Sequence, residues 1–306
     1  MSRDVSVATP AVLADDLLGA RPAASGLGRR LGRIRKLAVQ NPLGTIGLII
    51  ILIFVTCAVF APFIAPYKAT EFSGGVNESM SGSHLFGTER LGRDIFSRVV
   101  YGSRISLSVA IISVVGGASV GILIGILSGY LGGMVDNTIQ RTVDAAIAFP
   151  PLLLLLIITQ ALEPSYETVV FALSLAVIPG VTRVVRGAVL SEKNNQYVEA
   201  ARASGAWAPR ILLRHILPNV LALGIIVMTT LLGGIILAEA ALSFLGLGIP
   251  ETASWGRDVN NARAAPYHIP AAVFPGAAIT LTVLGFNLLG DAIRDVADPR
   301  LRGSRS

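Results

Sequence analysis

Six long apolar stretches constrain this chain more than any other feature of its 306 residues. A helix rises about 1.5 Å per residue and the hydrocarbon core of a bilayer is about 30 Å thick, so about 20 apolar residues are needed to cross it. In lipid, a helix satisfies all of its backbone polar groups internally. The sequence therefore predicts an all-α integral membrane protein with six transmembrane helices. They are expected at residues 43–65, 105–131, 145–162, 168–185, 220–247 and 269–289.

Prolines and charges modify two of these spans. The third is short, and we expect it to be extended by a helix that begins near Asp136. The fourth is also short and is expected to be interrupted by Pro179, Gly180 and Arg183.

The composition excludes a soluble protein and a self-contained ATPase. Only 14% of the residues are charged and 53% are hydrophobic, whereas a soluble domain carries about 25% charged residues. No lysine follows a glycine, so the chain contains no GxxxxGK[ST] phosphate-binding loop. The single cysteine, Cys57, cannot form a disulfide within the chain. We predict no cofactor, no metal site, no nucleic-acid partner and no catalytic centre.

The distribution of basic residues predicts the orientation in the membrane. Of the 25 Lys and Arg residues, 18 lie in segments that share a side with both termini, and seven lie on the other side. Cytoplasmic segments carry the excess of Lys and Arg. We therefore expect both termini to be cytoplasmic. The seven on the outer side are Lys68, Arg90, Arg93, Arg98, Arg104, Arg257 and Arg263.

The longest charged block between two apolar runs is YVEAARASGAWAPRILLRHILPN, residues 197–219. Its pattern predicts two short helices: one that contains Glu199 and ends at Gly205, which permits a positive φ, and one that Pro218 stops. Pro218 itself suits the first turn of the next helix. This block resembles the EAA loop of ABC importer permeases, in which the loop docks on the ATPase subunit. An ordinary amphipathic loop is the alternative. The residues that match the loop are Glu199, Ala200, Ala201, Gly205, Leu217 and Pro218, and Ile216 lies directly before Leu217 instead of one residue earlier. We assign these seven residues to ATPase coupling.

Two further blocks resemble the peptide and nickel branch of these permeases, the second permease type of its pair. They read HLFGTERLGRDIFSRVVYGSRISL (84–107) and NLLGDAIRDVADPRLR (287–302), and the resemblance covers about residues 41–302. It implies the type I ABC importer permease fold in a prokaryotic cell membrane. It also implies a second permease subunit, two cytoplasmic ATP-binding subunits that hydrolyse ATP, an extracytoplasmic solute-binding protein, and surrounding membrane lipids.

Four regions follow from these observations. Residues 1–40 form a cytoplasmic tail with a basic juxtamembrane helix, and residues 41–104 form the first span and an extracytoplasmic loop. Residues 105–290 form the permease core, with the EAA-type loop at 190–219, and residues 291–306 form a cytoplasmic tail.

Glu239 is the one acid well inside an apolar run. It lies about 28 Å from the start of the fifth span, near the outer end, where a lone charge facing lipid would be costly. We expect it to face protein or water, close to the pathway or to an arginine of an outer loop. Pairing for structure is the favoured role and contact with substrate is the alternative.

Two other patterns have structural interpretations. Gly117, Gly121, Gly125, Gly129 and Gly133 recur every four residues and predict a close helix contact, since small residues at this spacing let helices approach. Asp291, Asp295 and Asp298 share a helical face, where pairing with basic loops is expected rather than metal binding. The three histidines fall on different loops and do not predict a metal site.

The sequence thus predicts a permease subunit of an ATP-driven importer for di- or oligopeptides, forming half of the pathway. An importer of nickel or another small solute is the alternative within the family. A stand-alone secondary transporter would require intramembrane acids or histidines for ion coupling and usually two repeated halves. The chain has one acid in the fifth span and Asp144 at the edge of the third, with no evident repeat. A membrane enzyme would require grouped catalytic residues, which the sequence lacks.

Overall fold

The computed structural model describes residues 41–297, and the predicted basic helix before Asn41 and Asp298 both lie outside that range. Chain contacts divide the protein into residues Met1–Pro42 and a second unit, Leu43–Ser306. The helices of the described range are α1 (Pro42–Val59), α2 (Ala61–Ile64), α3 (Ile95–Leu131), α4 (Gly133–Ala148), α5 (Pro151–Ala161), α6 (Tyr166–Lys193), α7 (Gln196–Ala203), α8 (Ala208–Ile211), α9 (Leu217–Phe244), α10 (Trp255–Ala262) and α11 (Pro270–Ala297).

Five helices are long and apolar enough to cross a membrane, and a sixth crossing is possible if the pair α4 and α5 is one broken span. The five correspond to α1, α3, α6, the continuous stretch Ala208–Phe244, and α11. The predicted all-helical membrane architecture is therefore confirmed.

The expected continuous third span is instead divided between α4 and α5. These helices meet at 87°, and Phe149 and Pro150 between them are extended, with ψ values of 129° and 124°. The consecutive prolines Pro150 and Pro151 explain the bend, because each lacks a backbone N–H and disfavours helical geometry in the residue before it.

The predicted interruption of the fourth span is wrong. Helix α6 continues for 28 residues through Pro179. One proline removes only a single intrahelical hydrogen bond, and neighbouring groups of a tightly packed helix can compensate for that loss in a membrane.

The glycine stripe makes the predicted close helix contact for its first four members, and the partner helix is α6. A Cβ built on Gly121 would lie 2.9 Å from the Val181 Cβ, and one on Gly125 would lie 2.7 Å from the Thr182 carbonyl oxygen. Gly133 is the exception: it begins α4 with φ of +57°, and no atom would touch its Cβ. The stripe is thus a helix-packing surface.

The order of these contacts shows that α3 and α6 run parallel. Gly121 of α3 faces Val181, and Gly129 faces Val189, eight residues further along both helices. Helix α9 runs the other way, since Gly224 meets Ile122 while Glu239 meets Ser106. Helix α11 is antiparallel to α9, and α1 is antiparallel to α11, with Gly44 against Ala292 and Gly47 against Gly285. The first and last described residues consequently lie at one end of the bundle, together with α7.

Candidate functional site

The residues that match the EAA pattern begin on α7, a short helix with one buried and one exposed side. Val198 is fully buried in the hydrophobic core, and Ala201 packs against that core. Glu199 and Ala200 are exposed. This alternation of buried and exposed residues follows from the 3.6-residue helical repeat. The buried side holds α7 against the protein, and the side that carries Glu199 stays exposed.

Gly205 ends α7 in the way that the sequence predicts. Its φ is +79°, a conformation that costs other residues about 1–2 kcal/mol. Its N–H donates to the carbonyl of Arg202 at 2.9 Å, and the N–H of Ala206 donates to the carbonyl of Ala201 at 3.0 Å. These two bonds form a Schellman motif, which satisfies the last carbonyls of the helix. A Cβ at Gly205 would touch nothing within 4 Å, so the requirement is conformational.

Pro218 lies in the first turn of α9, as predicted, but it does not stop the helical segment before it. From Ala208 the chain is one apolar helical stretch that ends at Phe244. Residues Leu212–Ile216 widen to π-helical bonding, and the Leu217 N–H donates to the Leu212 carbonyl. In a π turn each N–H bonds to the carbonyl five residues earlier. The helix therefore tolerates the missing backbone N–H of Pro218. Ile216 is buried, Leu217 is half-buried and Pro218 is exposed.

Hydrogen bonds that the sequence does not reveal hold this region to the helix ends. The Tyr130 hydroxyl of α3 donates to the carbonyl of Ala208 at 2.8 Å, and Lys193 of α6 donates to the carbonyl of Tyr130 at 2.8 Å. Tyr197 donates to Glu192 and accepts from the Asn219 amide at 3.1 Å. No spacing rule identifies these contacts, because they join residues up to 78 positions apart.

The outward surface of residues 196–219, which we call the loop surface, combines charges with large apolar side chains. Trp207 is 66% exposed and Leu213 is 62% exposed. Glu199, Arg202 and Arg210 are exposed on the same segment. Exposed aromatic and basic side chains beside small residues are typical of protein interfaces. Among the described residues, this surface therefore has the composition of a docking site.

At the opposite end of α9, Glu239 is 1% exposed and bonds to hydroxyl groups. Ser106 donates to its Oε2 at 3.1 Å, and Ser243 donates to its Oε1 at 2.8 Å. The expected arginine is not its partner. Because Ser106 belongs to α3, this bond joins α3 to α9 through two residues that are 133 positions apart in the chain.

A second buried contact at this end of the bundle joins Arg98 to Asp258. The guanidinium of Arg98 is 3% exposed and donates from Nε to Asp258 Oδ1 at 2.9 Å. Burial raises the pKa of the Asp258 carboxyl, and the Arg98 charge opposes that rise. Trp255 is fully buried and donates to the carbonyl of Val99 at 2.9 Å. Arg98 thus fastens α10 to α3.

The loop before α3 is organised by Asp94. This residue caps the helix by accepting from the N–H of Ser97 at 2.7 Å. Its other oxygen lies 3.0 Å from His84 Nδ1. Arg93 pairs with Glu89, and Arg104 donates to the carbonyl of Ala58 at 2.9 Å. These motif residues therefore have structural contacts, and within residues 41–297 no group of three potential ligands could hold a metal ion.

Comparison with known proteins decides the family. Residues 121–303 match the family described as binding-protein-dependent transport system inner membrane component. Residues 32–78 match the N-terminal transmembrane domain of oligopeptide transport permease C.

The chain belongs to this family of transport permeases.

Individual relatives agree with that assignment. The glutathione transport system permease protein GsiD of Escherichia coli O1:K1 is 42% identical over 273 residues, which cover 88% of this chain and 90% of that protein. A protein of Brucella suis biovar 1 (strain 1330), provisionally named a peptide transport system permease protein, is 42% identical over 266 residues, or 84% of this chain and 88% of its own. This chain is accordingly an ABC importer permease and a multi-pass component of the bacterial inner membrane.

A solved structure supports the fold alone. The crystal structure of an amino acid ABC transporter with histidines aligns with a TM-score of 0.52 at 16% identity, over 64% of this chain and 92% of that one.

Ion pairs of the permease also gather near the loop surface. Arg186 of α6 binds Asp136 of α4 through two 2.6 Å bonds, and Arg183 pairs with Asp144. The predicted pairing of Asp291 and Asp295 with basic loops is not observed within the described range, where both are exposed.

An apolar cavity of about 620 Å³ lies inside the bend between α4 and α5. Its walls include Ile124, Leu127, Phe149 and Pro179, and no charged side chain lines it. A peptide with charged ends would find few polar partners there, whereas ligand sites combine apolar walls with a few placed polar groups.

Proposed function

We propose that this permease forms one half of the pathway of a bacterial importer for di- or oligopeptides. A second permease would form the other half, two ATP-binding subunits would hydrolyse ATP at the cytoplasmic side, and a solute-binding protein would deliver the substrate. The substrate class is supported by the names of the two relatives, one for peptides and one for glutathione, which is a tripeptide.

Six crossings with both termini cytoplasmic fit the helix directions best. Because α3 and α6 are parallel, the chain must return across the bundle between Leu131 and Tyr166, and only α4 and α5 occupy that interval. The bent pair would therefore serve as the third span. The 18-to-7 division of Lys and Arg supports a cytoplasmic position for the loop surface.

The coupling role is supported chiefly by one observation: Glu199 is an exposed acid on a helix, α7, that is held firmly to the protein. Val198 and the Gly205 turn hold α7 in place, so a push on Glu199 and Ala200 would move the segment as a unit. The stretch Ala208–Phe244 continues without a break for 37 residues, or about 55 Å. Movement caused by closure of the ATPases would thereby be transmitted along this one helical stretch to Glu239 and the far end of α3.

Charge reversal at the loop surface tests this role. We expect Glu199→Lys to lower peptide uptake and peptide-stimulated ATP hydrolysis at least about ten-fold, while the two permeases stay assembled in the membrane. Glu163→Lys, an equally exposed acid at the opposite end, is the matched control and should leave both activities unchanged. Normal uptake by Glu199→Lys would remove the coupling role.

Cysteine accessibility tests the orientation. In a Cys57→Ala background, Ser79→Cys should react with an impermeant thiol reagent in intact cells, and Ser191→Cys should react only after the membrane is opened. Both positions are exposed and lie at opposite ends of the bundle. Labelling of Ser191→Cys in sealed cells would reverse the proposed topology.

A further inference from the structure

A small polar cavity lies between α9 and α10, apart from the loop surface. Its volume is about 250 Å³, and its walls include Pro164, Ser243, Gly248, Arg257, Asn260 and Asn261. Whole-ligand pockets usually measure about 300–1,000 Å³. This cavity is therefore sized for the end of a ligand rather than for a complete one.

Three of its polar side chains come from one face of α10. Asn260 and Asn261 lie three and four positions after Arg257, and side chains at these spacings are neighbours on a helix. Ser243 contributes little to a ligand, because its hydroxyl already donates to Glu239 at 2.8 Å. Arg257 and the two asparagine amides remain as the groups that face the cavity.

Within residues 41–297, Arg257 carries a positive charge that no acid neutralises by contact. Its Nη1 group donates to the carbonyl of Ile249 at 2.9 Å, which leaves the other guanidinium donors for a ligand. Burial, then the charges of Arg98 and Arg93, lower the pKa of Arg257, and Asp258 and Glu251 oppose that effect. The guanidinium still stays protonated at neutral pH, and the balance around it is basic.

We propose that Arg257, Asn260 and Asn261 bind the terminal carboxylate and the adjacent amide group of a peptide substrate at the outer end of the permease. Arg257 pairs with the carboxylate, since the planar guanidinium matches two carboxylate oxygens. The asparagine amides, which both donate and accept, suit the neighbouring peptide N–H and C=O. This assignment rests on the proposed function and on its orientation. An acidic side chain of the solute-binding protein has the same chemistry and is the competing source.

The test compares two dipeptide libraries, one with free carboxyl ends and one capped as carboxamides. The full transporter without its binding protein is placed in nanodiscs, and peptide binding is followed by saturation-transfer NMR. We expect the free-carboxyl library to bind, and Arg257→Gln to weaken that binding about ten-fold while leaving the carboxamide library unaffected. Arg257→Lys should keep part of the stronger binding of the free-carboxyl library over the carboxamide library.

Arg263→Gln is the control, because Arg263 lies 5.3 Å from the Phe244 ring and does not line the cavity. Equal binding of the two libraries by the unaltered transporter, or no loss in Arg257→Gln, would overturn the assignment. If Arg257→Gln instead weakened only the docking of the binding protein, the carboxylate would belong to that protein and the assignment would also be wrong. Uptake of neither library by cells that express the whole system would refute the peptide function itself.

Discussion

The two ends of α9 use polar residues in opposite ways. At one end, Glu199 and Trp207 are exposed, and the segment is held by bonds at its margins. At the other, Glu239, Arg98 and Asp258 are at least 94% buried and bond to one another's helices. Buried charges are costly unless they are paired, whereas exposed charges contribute little to stability. The first end therefore has the exposed surface that the proposed docking of a partner requires, and the second fastens three helices together.

The buried end should be the more sensitive to substitution, and Arg98→Leu should have the largest effect. It leaves Asp258 buried without a cation, and breaking a buried pair in this way costs about 3–5 kcal/mol. We expect at least a ten-fold loss of assembled protein by size-exclusion chromatography and a lower melting temperature.

The double variant Arg98→Leu with Asp258→Leu should recover part of that loss, since it removes the uncompensated charge. Arg263→Gln, an exposed arginine nearby, serves as the control. An Arg98→Leu protein that assembles normally would show that the buried end does not fasten α10 to α3.

Glu239 gives the next largest effect and separates structure from transport. Glu239→Leu removes the acceptor of the Ser106 and Ser243 hydroxyls, and each unsatisfied buried hydroxyl costs about 1–3 kcal/mol. Glu239→Gln keeps an acceptor, so we expect assembled protein to fall several-fold with Leu and to change less than about two-fold with Gln. Normal assembly with altered uptake in both variants would instead assign Glu239 to the pathway.

These contrasts show which features the sequence could predict. Apolar length and helical periodicity depend on local chemistry, so five of the spans, a close helix contact at the glycine stripe and the Gly205 turn follow from the sequence. The partners of Glu239 and Asp258 do not, because they join residues 133 and 160 positions apart. The prolines show that a local rule alone does not predict where a helix ends. Pro179 and Pro218 lie in continuous helices, whereas Pro150 and Pro151 together break one.

At the exposed end, Gly205→Ala should reduce coupling more than stability. A non-glycine residue at φ of +79° costs about 1–2 kcal/mol, and this strain falls on the last turn of α7 rather than on the core. We expect a several-fold loss of peptide-stimulated ATP hydrolysis with assembly near normal. Gly205→Asn, which tolerates this conformation better, should be milder.

Gly187→Ala is the matched control, since a Cβ there also meets nothing within 4 Å but its φ is ordinary. If Gly205→Ala lowered assembly as strongly as Arg98→Leu does, the two ends would not differ in the way described here.

The smallest effect is expected for Tyr197→Phe, which tests how firmly the exposed end is held. Phenylalanine removes the bond to Glu192 and the 3.1 Å bond from Asn219, and both are exposed to water. Such bonds contribute about 0.5–1.5 kcal/mol, so uptake should fall less than about two-fold while amide exchange in α7 becomes faster. Burial, followed by the Glu192 contact, raises the pKa of Tyr197 above its ordinary value, so the hydroxyl keeps its proton throughout the neutral range. The difference between Tyr and Phe should therefore stay constant from about pH 6 to about pH 9. A loss that grew with pH in that range would mean that the phenol ionises, and that something other than these two bonds positions α7.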